Sequence, residues 1–135
     1  CCVSIAKYLT DILQEQGLPL EEKADWNGHR ENFHAFRNMS EEEKNAYIQA
    51  NPAFGKVVCR CETVTEGEIL QAIRTNPRAT DMDGVKRRTR SGMGRCQGGF
   101  CGPKVIEILA RELGCDPTEI NKNNDGSYMV TGTTR

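Results

Sequence analysis

The chain has 135 residues, of which 37% are hydrophobic, 6% aromatic and 27% charged, and its formal net charge is −1. That length holds about one domain of ordinary size, so it excludes a large enzyme with a cofactor-binding fold of its own. The charge does not indicate a nucleic-acid-binding protein, and no stretch approaches the roughly 18 consecutive apolar residues of a membrane span.

The first predicted element is an amphipathic helix over residues 3–16, with its apolar residues on one helical face and a stop at Gly17. A polar, turn-rich connector over residues 18–39 follows. It contains three aromatic residues whose side chains we expect to be at least half buried: Trp26, Phe33 and Phe36. Ser40 and Glu43 predict a capping box that opens a short helix. We interpret residues 1–55 as the end of a preceding domain and its linker.

The character of the sequence changes after Gly55. Thr65 and Glu68 form a second capping box ahead of a helix, and a third helix starts near Thr80 and carries the basic run at 86–90. Pro103 suits the first turn of a last helix that Gly114 ends. The turn at 124–126 predicts a short C-terminal hairpin. The fold class predicted for residues 56–135 is therefore a small, mainly α domain.

Seven cysteines are the unusual feature of the composition, and four of them form two close pairs. The first twenty residues lack the order of a signal peptide, so we expect a cytoplasmic protein. In a reducing compartment such thiols usually bind metal or do redox work. We expect no role for Cys1 and Cys2 and a structural role for Cys115.

The spacing of the two pairs bears on which metal they would bind. Cys59 and Cys61 are spaced C-x-C, and Cys96 and Cys101 are spaced C-x4-C. Structural zinc sites usually take cysteines separated by two to four residues, whereas irregular spacing is common for a [2Fe-2S] cluster. The spacing favours iron and sulfide and leaves zinc open.

The loop around the second pair is suited to negative charge. Five glycines at 92, 94, 98, 99 and 102 leave backbone N–H groups free to point at sulfur. Each pair also lies just before a predicted helix, whose N-terminus carries partial positive charge. Arg60 and Arg95 adjoin candidate ligands, so they would stabilise the same charge.

The run from Val57 to Lys104, with VVCRCETVTEGEIL and then TDMDGVKRRTRSGMGRCQGGFCGPK, resembles the bacterioferritin-associated-ferredoxin-like [2Fe-2S] domain. The resemblance covers about the last 80 residues, 56–135, and is closest to the version at the C-terminal end of FAD-dependent glycerol-3-phosphate dehydrogenases. Residues 1–55 resemble the end of the preceding flavin domain and its linker in those enzymes. It implies that four cysteines hold the cluster: Cys59, Cys61, Cys96 and Cys101.

The resemblance implies an electron-transfer module that relays single electrons from a reduced flavin to an acceptor. The flavin domain of the parent chain and an acceptor protein or quinone-linked subunit would be its partners. FAD would belong to the parent enzyme, because the flavin-binding glycine fingerprint does not occur in these 135 residues. We therefore expect no catalysis from this segment alone. The alternative is a zinc-binding interaction domain without a redox role.

Overall fold

A computed structural model describes residues 1–29 and 36–132 of the chain. The chain divides into two compact units, Cys1–Asn32 and Phe33–Arg135, and each is described by itself. The connector residue Phe33 lies outside the described residues.

The first unit contains one helix, α1, over Cys2–Glu15. Its C-terminal end is followed by Gly17 at φ 87°, as the predicted glycine stop requires. The apolar face of α1 is exposed, with Val3 and Tyr8 each 67% exposed. Trp26 of the connector is 74% exposed, so the prediction that it is covered is wrong. None of the helices in the described residues is both long and apolar enough to cross a bilayer.

The second unit begins with the part of the connector that contains Phe36. A short 3-10 turn, Phe36–Asn38, leads into α2 (Glu41–Ala50), which opens with the predicted capping box. A second 3-10 turn, Pro52–Gly55, carries Phe54. Phe36 and Phe54 are buried, and their ring centroids lie 6.1 Å apart.

This aromatic pair lies on the helix that follows the first cysteine pair. A Cβ at Gly67 would come within 2.6 Å of the Phe54 ring, so the ring rests directly on the backbone there. In the structure, Phe54 and its neighbours therefore pack against the helix that follows the first cysteine pair. The assignment of residues 1–55 to a preceding domain stays a prediction.

A two-stranded antiparallel sheet precedes that helix. Strand β1 (Val57–Cys59) pairs with β2 (Val64–Thr65), with Cys59 opposite Val64. Helix α3 (Glu66–Arg74) follows at once and has the predicted capping box. The strands thus hold the C-x-C turn between two fixed ends.

Helices α4 (Met82–Thr89) and α5 (Gly102–Leu113) complete the domain. The core lies where α3, α4 and α5 meet, and the most deeply buried aliphatic side chains of these helices are at most 1% exposed: Ile69, Ile73, Val85, Ile108 and Leu109. Pro103 stands in the first turn of α5, and Gly114 follows its last turn at φ 69°, as predicted. The predicted mainly α fold class is confirmed.

The C-terminal segment closes over the start of α4. A 3-10 turn, Pro117–Glu119, is followed by one antiparallel bridge between Asn121 and Tyr128 around the predicted turn. The backbone N–H of Met82 donates to the carbonyl of Asn121 at 3.2 Å. The short C-terminal hairpin is therefore present as a single bridge.

Candidate metal centre

The structure places the four paired cysteines at the ends of regular elements. Cys59 is the last residue of β1, and Cys61 lies in the turn between β1 and β2. Cys96 lies in the glycine-rich loop between α4 and α5, and Cys101 is the residue that precedes the first turn of α5. Strand pairing and helix packing fix the two ends of each loop, so the four thiols have defined positions.

All four cysteines line one cavity of about 220 Å³, together with Arg60 and Phe100. The Sγ atoms of Cys61 and Cys96 stand 3.7 Å apart. Two sulfurs bound to one tetrahedral metal at about 2.3 Å would stand roughly 3.8 Å apart. The structure therefore brings together the two pairs that the sequence separates by 34 residues.

By burial, the four thiols divide into an inner pair, Cys59 and Cys101, and an outer pair, Cys61 and Cys96. Cys59 and Cys101 are 1% and 2% exposed, whereas Cys61 is exposed and Cys96 is partly buried. Burial raises the pKa of the Cys101 thiol, and the neighbouring Cys59 adds to this rise. Each pair joins one cysteine of the C-x-C turn to one cysteine of the glycine-rich loop.

The glycine-rich loop lowers the pKa of the Cys96 thiol. A hydrogen bond from the N–H of Phe100 is the largest influence that lowers the pKa of Cys96, followed by the Cys61 thiol and the N–H of Gly98. Gly98 has φ 86°, a conformation that residues with a Cβ rarely adopt. The loop therefore stabilises negative charge on this sulfur, as the sequence predicted.

Two arginine side chains, Arg37 and Arg90, are bound beside the C-x-C turn by the carboxylate of Glu62. Glu62 Oε2 accepts hydrogen bonds from Arg90 at 2.8 Å and from Arg37 at 3.0 Å. The bond from Arg90, with a smaller contribution from Arg37, holds the pKa of Glu62 below its ordinary value. Arg60 and Arg95 are exposed. Of these arginines, Arg60 lines the cavity itself, so it places a positive charge beside the thiols.

Sequence reasoning missed three residues of the site. Arg37 lies 25 residues before Glu62, and no local pattern joins the two. Ser91 is buried and donates a hydrogen bond to Cys101 Sγ at 3.7 Å. A single serine or glutamate near a cysteine has no spacing signal, so only the fold could assign these contacts.

The remaining cysteines do not line the cavity. Cys1 and Cys2 are exposed at the start of α1. Cys115 follows Gly114 and packs partly buried against the core. Their roles as predicted, none for the first two and structural for Cys115, stay predictions.

The donor set can be compared with the needs of different metal centres. Among residues 1–29 and 36–132, no three His, Cys, Asp or Glu side chains converge on a position for a single metal ion. A zinc ion needs all its ligands around one point, whereas a two-iron cluster takes two thiolates on each iron and keeps the two pairs apart. Four thiols, arranged as two pairs around one cavity, fit the wider centre.

Comparison with known proteins agrees with this chemistry. The family model described as "BFD-like [2Fe-2S] binding domain" matches residues 57–111. The chain is 52% identical over 132 residues to glycerol 3-phosphate dehydrogenase of Caloramator mitchellensis, covering 98% of this chain and 28% of the relative. It is 45% identical over 82 residues to anaerobic glycerol-3-phosphate dehydrogenase subunit A1 of Haloferax volcanii, covering 61% of this chain and 13% of that subunit.

The chain is also similar to a protein of a different kind. Over 58 residues the chain is 51% identical to hydrogen cyanide synthase subunit HcnB of Pseudomonas aeruginosa, covering 43% of this chain and 12% of the subunit. No solved structure matches the chain. The chain spans little more than a quarter of the Caloramator protein and about an eighth of the other two relatives.

Proposed function

We propose, from the premise that residues 57–111 belong to the BFD-like [2Fe-2S] binding domain family, that Cys59, Cys61, Cys96 and Cys101 bind one [2Fe-2S] cluster. The domain then acts as an electron-transfer module. One observation carries the proposal: the four cysteines line a single cavity, with two of the sulfurs 3.7 Å apart.

The two cross-loop pairs suggest how the protein would hold the cluster. Cys61 and Cys96 form the outer pair, and Cys59 and Cys101 form the inner pair. Because each pair takes one residue from each loop, the C-x-C turn and the glycine-rich loop must both be in place before either iron has two protein ligands. Binding of the cluster therefore stabilises the contact between the two loops.

The surroundings of the thiols support a redox role. A four-thiolate [2Fe-2S] centre becomes more negative when it gains an electron, and hydrogen bonds and nearby positive charge raise its reduction potential. The pKa of the Cys96 thiol is lowered, with the backbone N–H of Phe100 as the largest cause. Arg60 lines the cavity. The outer pair is the side from which an electron can reach the protein surface, because Cys61 is exposed.

The place of this module in a larger enzyme forms the second part of the proposal. We propose that the parent chain is a glycerol-3-phosphate dehydrogenase, the activity in the name of the Caloramator relative, and that it uses FAD, as the family resemblance implies. Glycerol 3-phosphate would reduce the flavin by two electrons, and the module would pass them singly to an acceptor protein or a quinone-linked subunit. This segment would move electrons and catalyse nothing by itself.

Metal and spin analysis of the whole chain tests the cluster. Anaerobically purified protein should contain about two iron and two acid-labile sulfide per chain and be red-brown. After one-electron reduction by dithionite it should give a paramagnetic signal. A colourless protein with one zinc per chain and no sulfide would instead establish the zinc-binding interaction domain and refute the electron-transfer role.

The relay is tested in the enzyme that contains this chain. Rapid mixing with glycerol 3-phosphate should reduce the flavin first and the cluster afterwards, and the cluster signal should be absent when Cys96 is replaced by Ser. Flavin reduction without any later cluster reduction would contradict the relay but leave cluster binding intact.

A further inference from the structure

A buried hydroxyl group stands beside the inner ligand of the glycine-rich loop. Ser91 is 4% exposed, and its Oγ donates a hydrogen bond to the Sγ of Cys101 at a separation of 3.7 Å. Cys101 is itself 2% exposed. An O–H group in such a dry environment has a strong need for an acceptor, so this contact is stronger than the same contact would be in water.

A second hydroxyl group fixes the position of Ser91. The backbone N–H of Ser91 donates to Thr89 Oγ1 at 3.1 Å, and the hydroxyl of Thr89 donates to the carbonyl of Val85 at 2.9 Å. Thr89 is buried, and Val85 belongs to the core of α4. The last turn of α4 therefore holds Ser91 in place and leaves its hydroxyl free to donate to Cys101.

Among the described residues, Ser91 alone places a hydroxyl group within hydrogen-bond distance of a ligand sulfur. Within the part of the chain that the structure describes, it is the one side chain other than cysteine that donates a hydrogen bond to any of the four sulfurs. The pKa of Cys96 is lowered mainly by the backbone N–H of Phe100, which does not depend on the side chain at that position. A change at position 91 would therefore alter the hydrogen bonding of the inner pair without touching that of the outer pair.

We propose that Ser91 is a positioning residue that raises the reduction potential of the centre through its hydrogen bond to Cys101. The inference rests on the proposed [2Fe-2S] function. Reduction adds one electron from an external donor and makes the thiolate sulfurs more negative, which strengthens the hydrogen bond that Ser91 donates. The hydroxyl proton stays on Ser91 Oγ, and no bond to the protein forms or breaks. The reduced state gains more from Ser91 than the oxidised state does.

The inner pair has particular need of such a donor. Cys59 and Cys101 are almost completely buried, and burial disfavours a thiolate unless a donor compensates for the lost water. Ser91 supplies that donor from the side of α4. Its removal would leave Cys101 in a less polar environment, and the added electron would then be harder to accept.

Potentiometric titration of the cluster-loaded whole chain tests this role. Ser91→Ala should lower the ratio of reduced to oxidised centre at a fixed applied potential by about tenfold, which corresponds to about 59 mV for a one-electron couple. Ser91→Cys keeps a similar shape with a weaker donor and should give an intermediate potential. Ser127→Ala removes a hydroxyl from the C-terminal turn and should leave the potential unchanged.

The possible outcomes separate the inference from the function on which it rests. A midpoint in Ser91→Ala equal to that of Ser127→Ala, at equal iron and sulfide content, would overturn the role of Ser91. If Ser91→Ala does not assemble the cluster, the midpoint potential of Ser91→Cys is compared with that of the unchanged chain. Equal midpoint potentials in these two proteins would overturn the role of Ser91. A wild-type chain without iron and sulfide would refute the proposed function as well, and metal analysis shows this before any titration.

Discussion

The Cβ of Cys61 occupies the space into which a Cβ on Gly94 would project. A side chain at position 94 would overlap the Cβ of Cys61 and stand 3.3 Å from its Sγ. Gly94 does not have a positive φ, so its backbone conformation does not require glycine. Its lack of a side chain instead allows the glycine-rich loop to touch the C-x-C turn.

Replacing Gly94 with alanine should therefore weaken the site. The methyl group would push the two ligand loops apart, at a cost of about 1–3 kcal/mol for an overpacked contact. We expect Gly94→Ala to retain less iron and sulfide than the unchanged chain after purification. Gly102→Ala is the matched control, because a Cβ at Gly102 meets no other atom within 4 Å. Equal metal content in both variants would show that this contact does not control cluster binding.

Cysteine replacements test the ligand assignment. Cys96→Ser should lose iron and acid-labile sulfide, because serine oxygen is a poor substitute for a thiolate on iron. Cys115→Ser should keep both, since Cys115 packs against the core and does not line the cavity. Iron and sulfide analysis of the two proteins checks the prediction. Full iron and sulfide content in Cys96→Ser, or their loss in Cys115→Ser, would show that the ligands are assigned wrongly.

The capping boxes that open α2 and α3 differ in burial, so they allow the effect of burial to be tested. Both carboxylate oxygens of Glu68 are in use, one accepting from the N–H of Phe36 at 3.0 Å and the other from the N–H of Thr65 at 2.7 Å. Glu68→Gln turns one oxygen into an NH₂ group and leaves a buried N–H without an acceptor, so it should cost about 1–3 kcal/mol of unfolding free energy.

The same substitution in the exposed box is the control. Among the residues that the structure describes, Glu43 accepts only from the N–H of Ser40, at 2.8 Å, and the amide oxygen of glutamine can replace the carboxylate oxygen. We expect Glu43→Gln to change the unfolding free energy by less than about 0.5 kcal/mol. Urea unfolding followed by circular dichroism measures both variants, and equal losses would contradict the importance of the buried contact to Phe36.

The pair between Glu66 and Arg111 predicts a dependence on pH. Arg111 donates to Glu66 at 2.7 Å, and this bond, aided by Lys56, lowers the pKa of Glu66 from 4.5. A carboxyl group with a lowered folded-state pKa stabilises the fold above its ordinary pKa, and this stability is lost as the pH falls through the folded-state pKa. Arg111→Met should therefore cost about 1 kcal/mol near neutral pH and less in acid.

Unfolding free energies measured from neutral pH to below pH 4.5 check the sign of this pH dependence. The difference between Arg111→Met and the unchanged chain should shrink as the pH falls below 4.5. Lys104→Met is the control, because Lys104 and Glu107 form an ion pair in which both side chains are more than half exposed. A stability difference for Arg111→Met that stays constant into acid would show that the pair contributes through packing and not through charge.

The local elements of this fold could be predicted with few errors. The capping boxes at Ser40 and Thr65 mark the starts of α2 and α3, and Gly17 and Gly114 follow the ends of α1 and α5. Each of these signals acts over three or four residues, because it concerns the unpaired N–H and C=O groups of a single helix end. Neighbouring residues in the sequence are enough to satisfy such groups.

The strand pairing and the support of the site could not be predicted in this way. The two-residue strand β2 is too short to show alternation, and it exists because it pairs with β1. The contact between Arg37 and Glu62 joins residues 25 apart, and the contact between Ser91 and Cys101 depends on how α4 meets the glycine-rich loop. None of these contacts leaves a pattern in the residues on either side.

The sequence by itself determined which residues can form helices, where those helices start and stop, and which four thiols have a spacing suited to iron and sulfide. Only the tertiary structure decided that the thiols divide into an inner and an outer pair. It also decided that position 94 has no room for a side chain beside Cys61, and that Ser91 donates a hydrogen bond to Cys101. Helix ends and ligand spacing depend on short stretches of backbone. Burial and contact depend on the packing of α3, α4 and α5, which brings distant residues together only when the whole domain has folded.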